Sequence, residues 1–315
     1  IAVFYLIWPW VWMNPIGHLQ YSLDHWAAAP AEYFLGTLQT APLYYYPVYF
    51  AVTTPLLLFI PLIIGVIAIA RSKDAFKIGI LAWLAVPFLY GFSSFVQDGM
   101  RYLIMIYPAI ALICGYGLWS AAGWIGDRLK NVGRDRAFAI GSALTVIYLA
   151  VSLISVYPYY LDYYNALAGG PRGAYDHNSF EFGWWGEGVR AAMGYVESTA
   201  PQGSSVLMVT LPDDPTNTET LERNMDYYYL FAEHAGYHDI ALNFRQPIIA
   251  AHYLVATPVV PQYVITNTAM QRDLNVTIGD SNYTIVYEAT VQGTPLARVY
   301  QRAPAPGDAS VAGVT

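Results

Sequence analysis

The stretch FSSFVQDGMRYLIMIYPAIALICGYGL, residues 92–118, sets Asp98 and Arg101 in a four-residue hinge between two runs that are otherwise almost wholly apolar. What a guanidinium does there depends on what the apolar runs are. Hydrophobic residues make up 56% of the 315-residue chain and charged residues only 12%, a balance too apolar for an ordinary soluble domain. A membrane protein is the class that fits. Aromatic residues reach 16%, with 28 tyrosines and 9 tryptophans, and such side chains gather where a surface is apolar at one end and wet at the other. The net charge of -7 excludes a nucleic acid as the expected partner. The single cysteine, Cys114, lies inside an apolar run, so neither a disulfide framework nor a zinc cluster can form within one chain, and it reads as a small buried hydrophobe.

A hydrocarbon core of about 30 Å takes roughly 20 apolar residues per helical crossing. Runs of that kind fall at about 48–70, 77–96, 102–124 and 137–157, and IAVFYLIWPWVWMNP at the start reads as the tail of another, which makes about five spans. That opening has no basic flank and no small-residue cleavage site, so it is not a signal peptide. We therefore expect the chain to be the C-terminal part of a longer protein.

Basic residues set the expected orientation. Arg71, Lys73 and Lys77 share one loop, and Arg128, Lys130, Arg134 and Arg136 share the next but one. The positive-inside rule makes both loops cytoplasmic. Loop 14–47, the hinge at 97–101 and everything from 158 onward then face outside, and Arg101 is the one basic residue before position 158 that departs from the pattern.

The fold class expected is thus a polytopic α-helical membrane protein followed by a small α/β extracytoplasmic domain. Residues 1–158 form the helical region, 159–185 a juxtamembrane connector, 186–302 the α/β domain and 303–315 a disordered tail. In the α/β domain, WGEGVRAAMGYVEST predicts an amphipathic helix with Val189, Met193 and Val196 on one face. SSVLMVT and QYVITN predict strands, TLERNMDYYYLFAEH a helix, and YTIVYEA with GTPLARVYQR a terminal hairpin turning near Gly293. NVT at Asn275 and NYT at Asn282 form glycosylation sequons that fit an outside location.

Three constellations carry chemistry. An outward arginine at a helix start can hold an anionic headgroup, because its planar fork matches phosphate oxygens and the helix dipole adds positive potential there. The other reading of Arg101 is a local ion pair with Asp98. The second constellation is loop 14–47, with His18, Asp24, His25, Glu32 and the run Tyr44–Tyr45–Tyr46 before Pro47. Rings that stack on sugar faces and carboxylates that accept from hydroxyls suit a carbohydrate, whereas an interfacial aromatic belt is the alternative. The spacing of its histidines supports no metal site. The third is residues 159–188, where Asp162, Asn165, Asp176, His177, Glu181 and Glu187 crowd together and Gly169–Gly170 permits an unusual backbone path. The sequence holds no Walker loop, nucleophile elbow or dinucleotide fingerprint, which argues against a nucleotide-driven enzyme.

WMNP at the end of a span, EYFLGTLQTAPLYYYPVYFAVTTPLLL, DGMRYLIMIYPAIALICGYGL, YPYYLDYYNALAGG and WWGEGVRAAMGYV, in that order, resemble the C-terminal half of the polytopic GT-C glycosyltransferases. The likeness is greatest to the dolichyl-phosphate-mannose protein mannosyltransferases (glycosyltransferase family 39) and their prokaryotic relatives. It implies transfer of a sugar from a polyprenyl-phosphate carrier to a protein, lipid or glycan acceptor on the outer side of the membrane. It also implies that Arg101, with Tyr102, meets the carrier phosphate, and that His25, Glu32, Tyr45, Tyr46 and Asp98 are candidates for the substrate side. The general base of such enzymes lies in an N-terminal outer loop that this sequence does not contain, so no catalytic residue is assigned. No cofactor is implied beyond the lipid-linked donor, although a divalent metal assists some relatives. The rival reading is a transporter or receptor with an outer α/β domain, to which Pro55, Pro61 and Pro87 inside apolar runs lend support.

Overall fold

The computed structural model describes residues 8–27, 31–92, 99–128, 132–183, 186–201, 206–208, 262–268 and 283–303. The chain is mostly helical with a small sheet region, and it divides into two compact units. The first comprises residues 1–155 and 163–180, the second 156–162 and 181–315.

The first unit begins with α1 (Trp10–Met13) and α2 (Pro15–Ala27), followed by the hairpin β1 (Ala31–Phe34) and β2 (Thr37–Thr40). The hairpin pairs Glu32 with Gln39 and turns at Leu35–Gly36. The expected plain loop is therefore built from regular elements.

Next come α3 (Tyr45–Thr53), a 3₁₀ turn (Leu56–Leu58) and α4 (Phe59–Arg71). A continuous span over 48–70 is expected from composition, but the chain bends by 109° between Tyr45–Thr53 and Leu56–Arg71. The cause is Pro55, which has no N–H to offer the carbonyl of Ala51 and disfavours helix at Thr54. Thr54 is accordingly extended, with φ -89° and ψ 132°.

Asp74 caps α5 (Ala75–Gly91), its carboxylate accepting from the N–H groups of Phe76 and Lys77. A 3₁₀ helix (Arg101–Ile106) leads into α6 (Tyr107–Arg128), and α7 (Arg134–Val156) follows. Among the described residues two helices are long and apolar enough to cross a membrane, Arg101–Arg128 and Arg134–Val156, or three crossings result if the bent pair counts as one. The partial span expected at the start falls largely on residues 1–7, outside the described residues.

Helices α4 and α6 approach closely at Gly65 and Gly117. A Cβ on Gly117 would lie 1.9 Å from the Pro61 carbonyl oxygen, and one on Gly65 2.1 Å from that of Ile113. Small residues that let backbones meet are how helices associate where lipid supplies no hydrophobic driving force. Helix α7 joins α6 at its own start, where Arg134 lies 3.9 Å over the Trp119 ring. Further along, Phe138 packs edge-on against Trp119, while Leu144, Val146, Val151 and Ile154 are exposed.

The second unit lays α9 (Val189–Thr199) on a sheet of β3 (Val206–Met208), β4 (Tyr263–Asn267), β5 (Tyr283–Val291) and β6 (Thr294–Arg302), in the order β3-β4-β6-β5. The β3–β4 pair is parallel and the others antiparallel. Val189, Ala192, Met193 and Val196 recur at helical spacing and bury against Tyr263, Ile265, Ala289, Ala297 and Val299. These are the helix face, strands and Gly293 turn expected from periodicity. The helix expected over 220–234, both sequons and the tail lie outside the described residues. The short helix α8 (Gly170–Asp176) belongs to the first unit, and Gly169 and Gly170, with φ of 75° and 70°, make the left-handed path into it.

Candidate functional site

Arg101 is the first residue of the 3₁₀ helix that opens the Arg101–Arg128 span, and its side chain is exposed. Its Nη2 donates to the Tyr102 hydroxyl at 2.9 Å, and the guanidinium carbon sits 4.9 Å from the centre of the same ring. The half-buried tyrosine thus steers the cation without neutralising it. Asp98, the alternative ion-pair partner, lies outside the described residues.

Two residues before the arginine, Gly99 holds φ at +53°, in the left-handed region that glycine enters without a side-chain clash. Its N–H donates to the Tyr45 hydroxyl at 2.7 Å, and that hydroxyl donates to Glu32 Oε2 at 2.5 Å. The polarity is forced, because an amide nitrogen only donates and a carboxylate only accepts. Glu32 on β1, Tyr45 at the start of α3 and the hinge backbone therefore form one connected chain of groups, drawn from three places in the sequence.

Tyr45 is fully buried and Tyr46 nearly so. Phe34 stacks on Tyr45 at 5.2 Å, and Tyr49 lies 4.5 Å from it. A Cβ on Gly91 would come within 2.6 Å of the Tyr46 ring. Phe180 closes the group against Phe34, Tyr49 and Tyr164. The two tyrosines singled out for sugar stacking thus form part of an aromatic core with neither ring facing outward. The large apolar side chains exposed in this region include Leu35, Leu38, Leu43 and Tyr44. His25 belongs to α2, but its side chain lies outside the described residues.

The polar crowd of residues 159–188 separates into distinct tasks. Asn165 is buried, and its Nδ2 donates to the carbonyls of Ala51 at 2.6 Å and Thr54 at 2.7 Å. Its own N–H donates to the Val52 carbonyl at 2.8 Å. Asn165 thereby supplies, from more than a hundred residues away, the donor that Pro55 lacks. Asp176 pairs with Arg172 at 2.8 Å in an exposed one-turn contact of little energetic weight.

Asp162, in the second unit, is buried at 1% exposure, and its Oδ1 accepts from the Gly183 N–H at 2.7 Å. Its Oδ2 has no hydrogen-bond partner among the described residues. Burial, and secondarily the negative charge of Glu187, push its carboxyl up to about 8, against the pull of the Gly183 amide. Burial thus favours the neutral carboxyl well above the pH at which an exposed aspartate would lose its proton.

Among the described residues no group of three or more histidine, cysteine, aspartate or glutamate side chains could hold a metal ion. No family model, curated protein or solved structure matches this chain.

Two contributors escape a linear reading of the sequence. Gly99 looks like hinge punctuation, and Asn165 like one polar residue among many. A signal for the second exists in Pro55, four residues after Ala51, which leaves a helical carbonyl in need of a donor.

Proposed function

We propose that the chain belongs to a membrane glycosyltransferase that takes a sugar from a polyprenyl-phosphate carrier and delivers it to a protein, lipid or glycan acceptor outside the membrane. The observation that carries this reading is the placement of Arg101: an exposed guanidinium at the N-terminal end of an apolar 28-residue helix, braced by Tyr102. Positive charge and the helix dipole coincide there, which suits a lipid phosphate. The role of Arg101 in transfer is to stabilise the phosphate as the bond to the anomeric carbon breaks. A carboxylate base for the acceptor hydroxyl is not assigned to any residue of this chain.

In this reading the bent pair α3/α4, then α5, α6 and α7, cross the membrane together with the N-terminal apolar run, giving about five spans. The basic residues at 71–77 and 128–136 are cytoplasmic, and the second unit is an extracytoplasmic α/β domain. A protected label at Ser72→Cys and an accessible one at Ser198→Cys, with impermeant maleimide on intact cells, is the expected topology. The reverse pattern overturns it.

The break between α3 and α4 favours the second reading, a transporter, because transporters use broken helices to expose carbonyls to an ion. Here the carbonyls of Ala51, Val52 and Thr54 are already occupied by Asn165, which weakens that use. The deciding experiment measures binding of a polyprenyl-phosphate-linked sugar to the chain in lipid nanodiscs. Affinity should fall in the order Arg101, Arg101→Lys, Arg101→Ala, because lysine keeps the charge but not the fork. Loss of a charge-assisted hydrogen bond makes the alanine step about 10- to 100-fold. Unchanged affinity in Arg101→Ala removes the phosphate role.

A further inference from the structure

We infer that Glu32, acting through Tyr45, is a positioning residue for the hinge that presents Arg101. The reasoning starts from Gly99. A glycine in the left-handed region has the widest choice of backbone conformations, so a hinge built on it takes a defined shape only if something outside the hinge holds it. The Tyr45 hydroxyl does so by accepting the Gly99 N–H at 2.7 Å, across 54 residues of sequence.

That hydroxyl is in turn held. Tyr45 is fully buried among Phe34, Tyr46 and Tyr49, so its ring has one available place. Its proton is directed to Glu32 Oε2 at 2.5 Å, which leaves the oxygen lone pairs turned to the amide. A carboxylate acceptor makes this the stronger kind of hydrogen bond, and it polarises the phenol so that its oxygen is a better acceptor for Gly99. Glu32 is fixed by β1, whose strand pairing sets Glu32 opposite Gln39. The hairpin, which reads in sequence as loop, is the rigid support, and the hinge is what it steadies.

This inference rests on the proposed role of Arg101 only for its functional consequence. The backbone consequence stands by itself, and the test reads the two separately. The variants are Tyr45→Phe, which keeps the buried ring and removes the hydroxyl, together with Glu32→Ala, Glu32→Gln and the double variant Glu32→Ala/Tyr45→Phe. Each is placed in nanodiscs, and two quantities are measured: hydrogen exchange at the Gly99 amide by fragmentation mass spectrometry, and affinity for a polyprenyl monophosphate.

Loss of one hydrogen bond should speed exchange at Gly99 about 2- to 12-fold in Tyr45→Phe. Glu32→Ala should move it in the same direction, and Glu32→Gln, whose amide oxygen still accepts from the phenol, should restore most of the protection. The double variant should match Tyr45→Phe alone if the glutamate acts on Gly99 through the phenol. Polyprenyl-phosphate affinity should fall in parallel with the loss of protection.

Unchanged Gly99 exchange in Tyr45→Phe overturns the inference, as do fully additive effects in the double variant. Altered exchange with no polyprenyl-phosphate binding by any form, wild type included, leaves the positioning of the hinge standing and overturns the carrier reading instead.

Discussion

Replacing Asn165 should unfasten the bend between α3 and α4. The side chain is 5% exposed and uses all its hydrogen-bonding groups: Nδ2 donates to Ala51 and Thr54, and Oδ1 accepts from the Leu167 N–H at 2.8 Å. In Asn165→Ala the Thr54 carbonyl is left buried without its donor, at a cost of about 1–3 kcal/mol. The half-buried Ala51 carbonyl and the lost cap on Leu167 each add about 1 kcal/mol by the same scale. A loss of about 3–5 kcal/mol in all corresponds to a fall of roughly 6–20 °C in unfolding midpoint for a unit of this size. Asn165→Asp is the sharper probe. It keeps the acceptor for Leu167 but turns the donor into a second oxygen facing two carbonyl oxygens, so at neutral pH it should be at least as damaging as alanine. Acidification should narrow its deficit, because a protonated carboxyl regains one donor. The assay is tryptophan-fluorescence unfolding in nanodiscs at pH 5 and pH 7.5. A midpoint within about 1 °C of wild type for Asn165→Ala, or an aspartate variant more stable than the alanine one at pH 7.5, refutes the assignment of Asn165 as donor to the broken helix.

Three further outcomes follow from the same geometry. Gly117→Ala forces a methyl to within 1.9 Å of the Pro61 carbonyl, so α4 and α6 must separate; a loss of at least 2 kcal/mol is expected, read as lowered thermal stability in nanodiscs, whereas no loss would show that the helices do not meet at this point. Asp162 has a folded-state pKa of about 8 against an unfolded value near 3.8, so its contribution is fully present below about pH 4 and is lost as the pH rises to about 8. Asp162→Asn should therefore gain stability relative to wild type as the pH is raised across that window, measured by chemical unfolding of the whole chain; a pH-independent difference contradicts the burial argument. Val196→Ala removes a fully buried side chain from the α9 face and should cost about 1–3 kcal/mol, seen in the unfolding of the second unit, while a change below 0.5 kcal/mol would place α9 off the sheet.

Some of this architecture is legible in a linear reading because it is periodic. Val189, Met193 and Val196 announce their helix, the Gly293 turn announces its hairpin, and the run that follows Arg101 is apolar enough to declare a span. Composition failed where a single backbone group decides. The run over 48–70 is uniformly apolar, so it reads as one helix, yet the missing N–H of Pro55 breaks it at Thr54. The opening of the span after Arg101 is 3₁₀ rather than α, with Leu103 at φ -103° and ψ 16°, and nothing in RYLIMI marks it. Arg101 itself is conspicuous because a charge stands alone in apolar surroundings. The tyrosines are conspicuous too, but whether a ring faces a sugar or a core depends on partners that sequence spacing does not give. Phe34 and Phe180 lie on either side of six α-helices in the sequence and meet edge-on in the same core.

Two irregular places in the first unit share one physical logic. Backbone groups within an apolar environment must find partners inside the protein, so a helix can be broken there only where another segment delivers a donor or an acceptor. At Thr54–Pro55 the delivery is the Asn165 amide; at Gly99 it is the Tyr45 hydroxyl. In both cases the supplier is buried and distant in sequence, which means that the break and its supplier stand or fall together. An ordinary helix end would need neither. A chain that keeps a glycine hinge, a buried phenol and a carboxylate aligned just ahead of an exposed arginine holds the backbone that leads into that arginine.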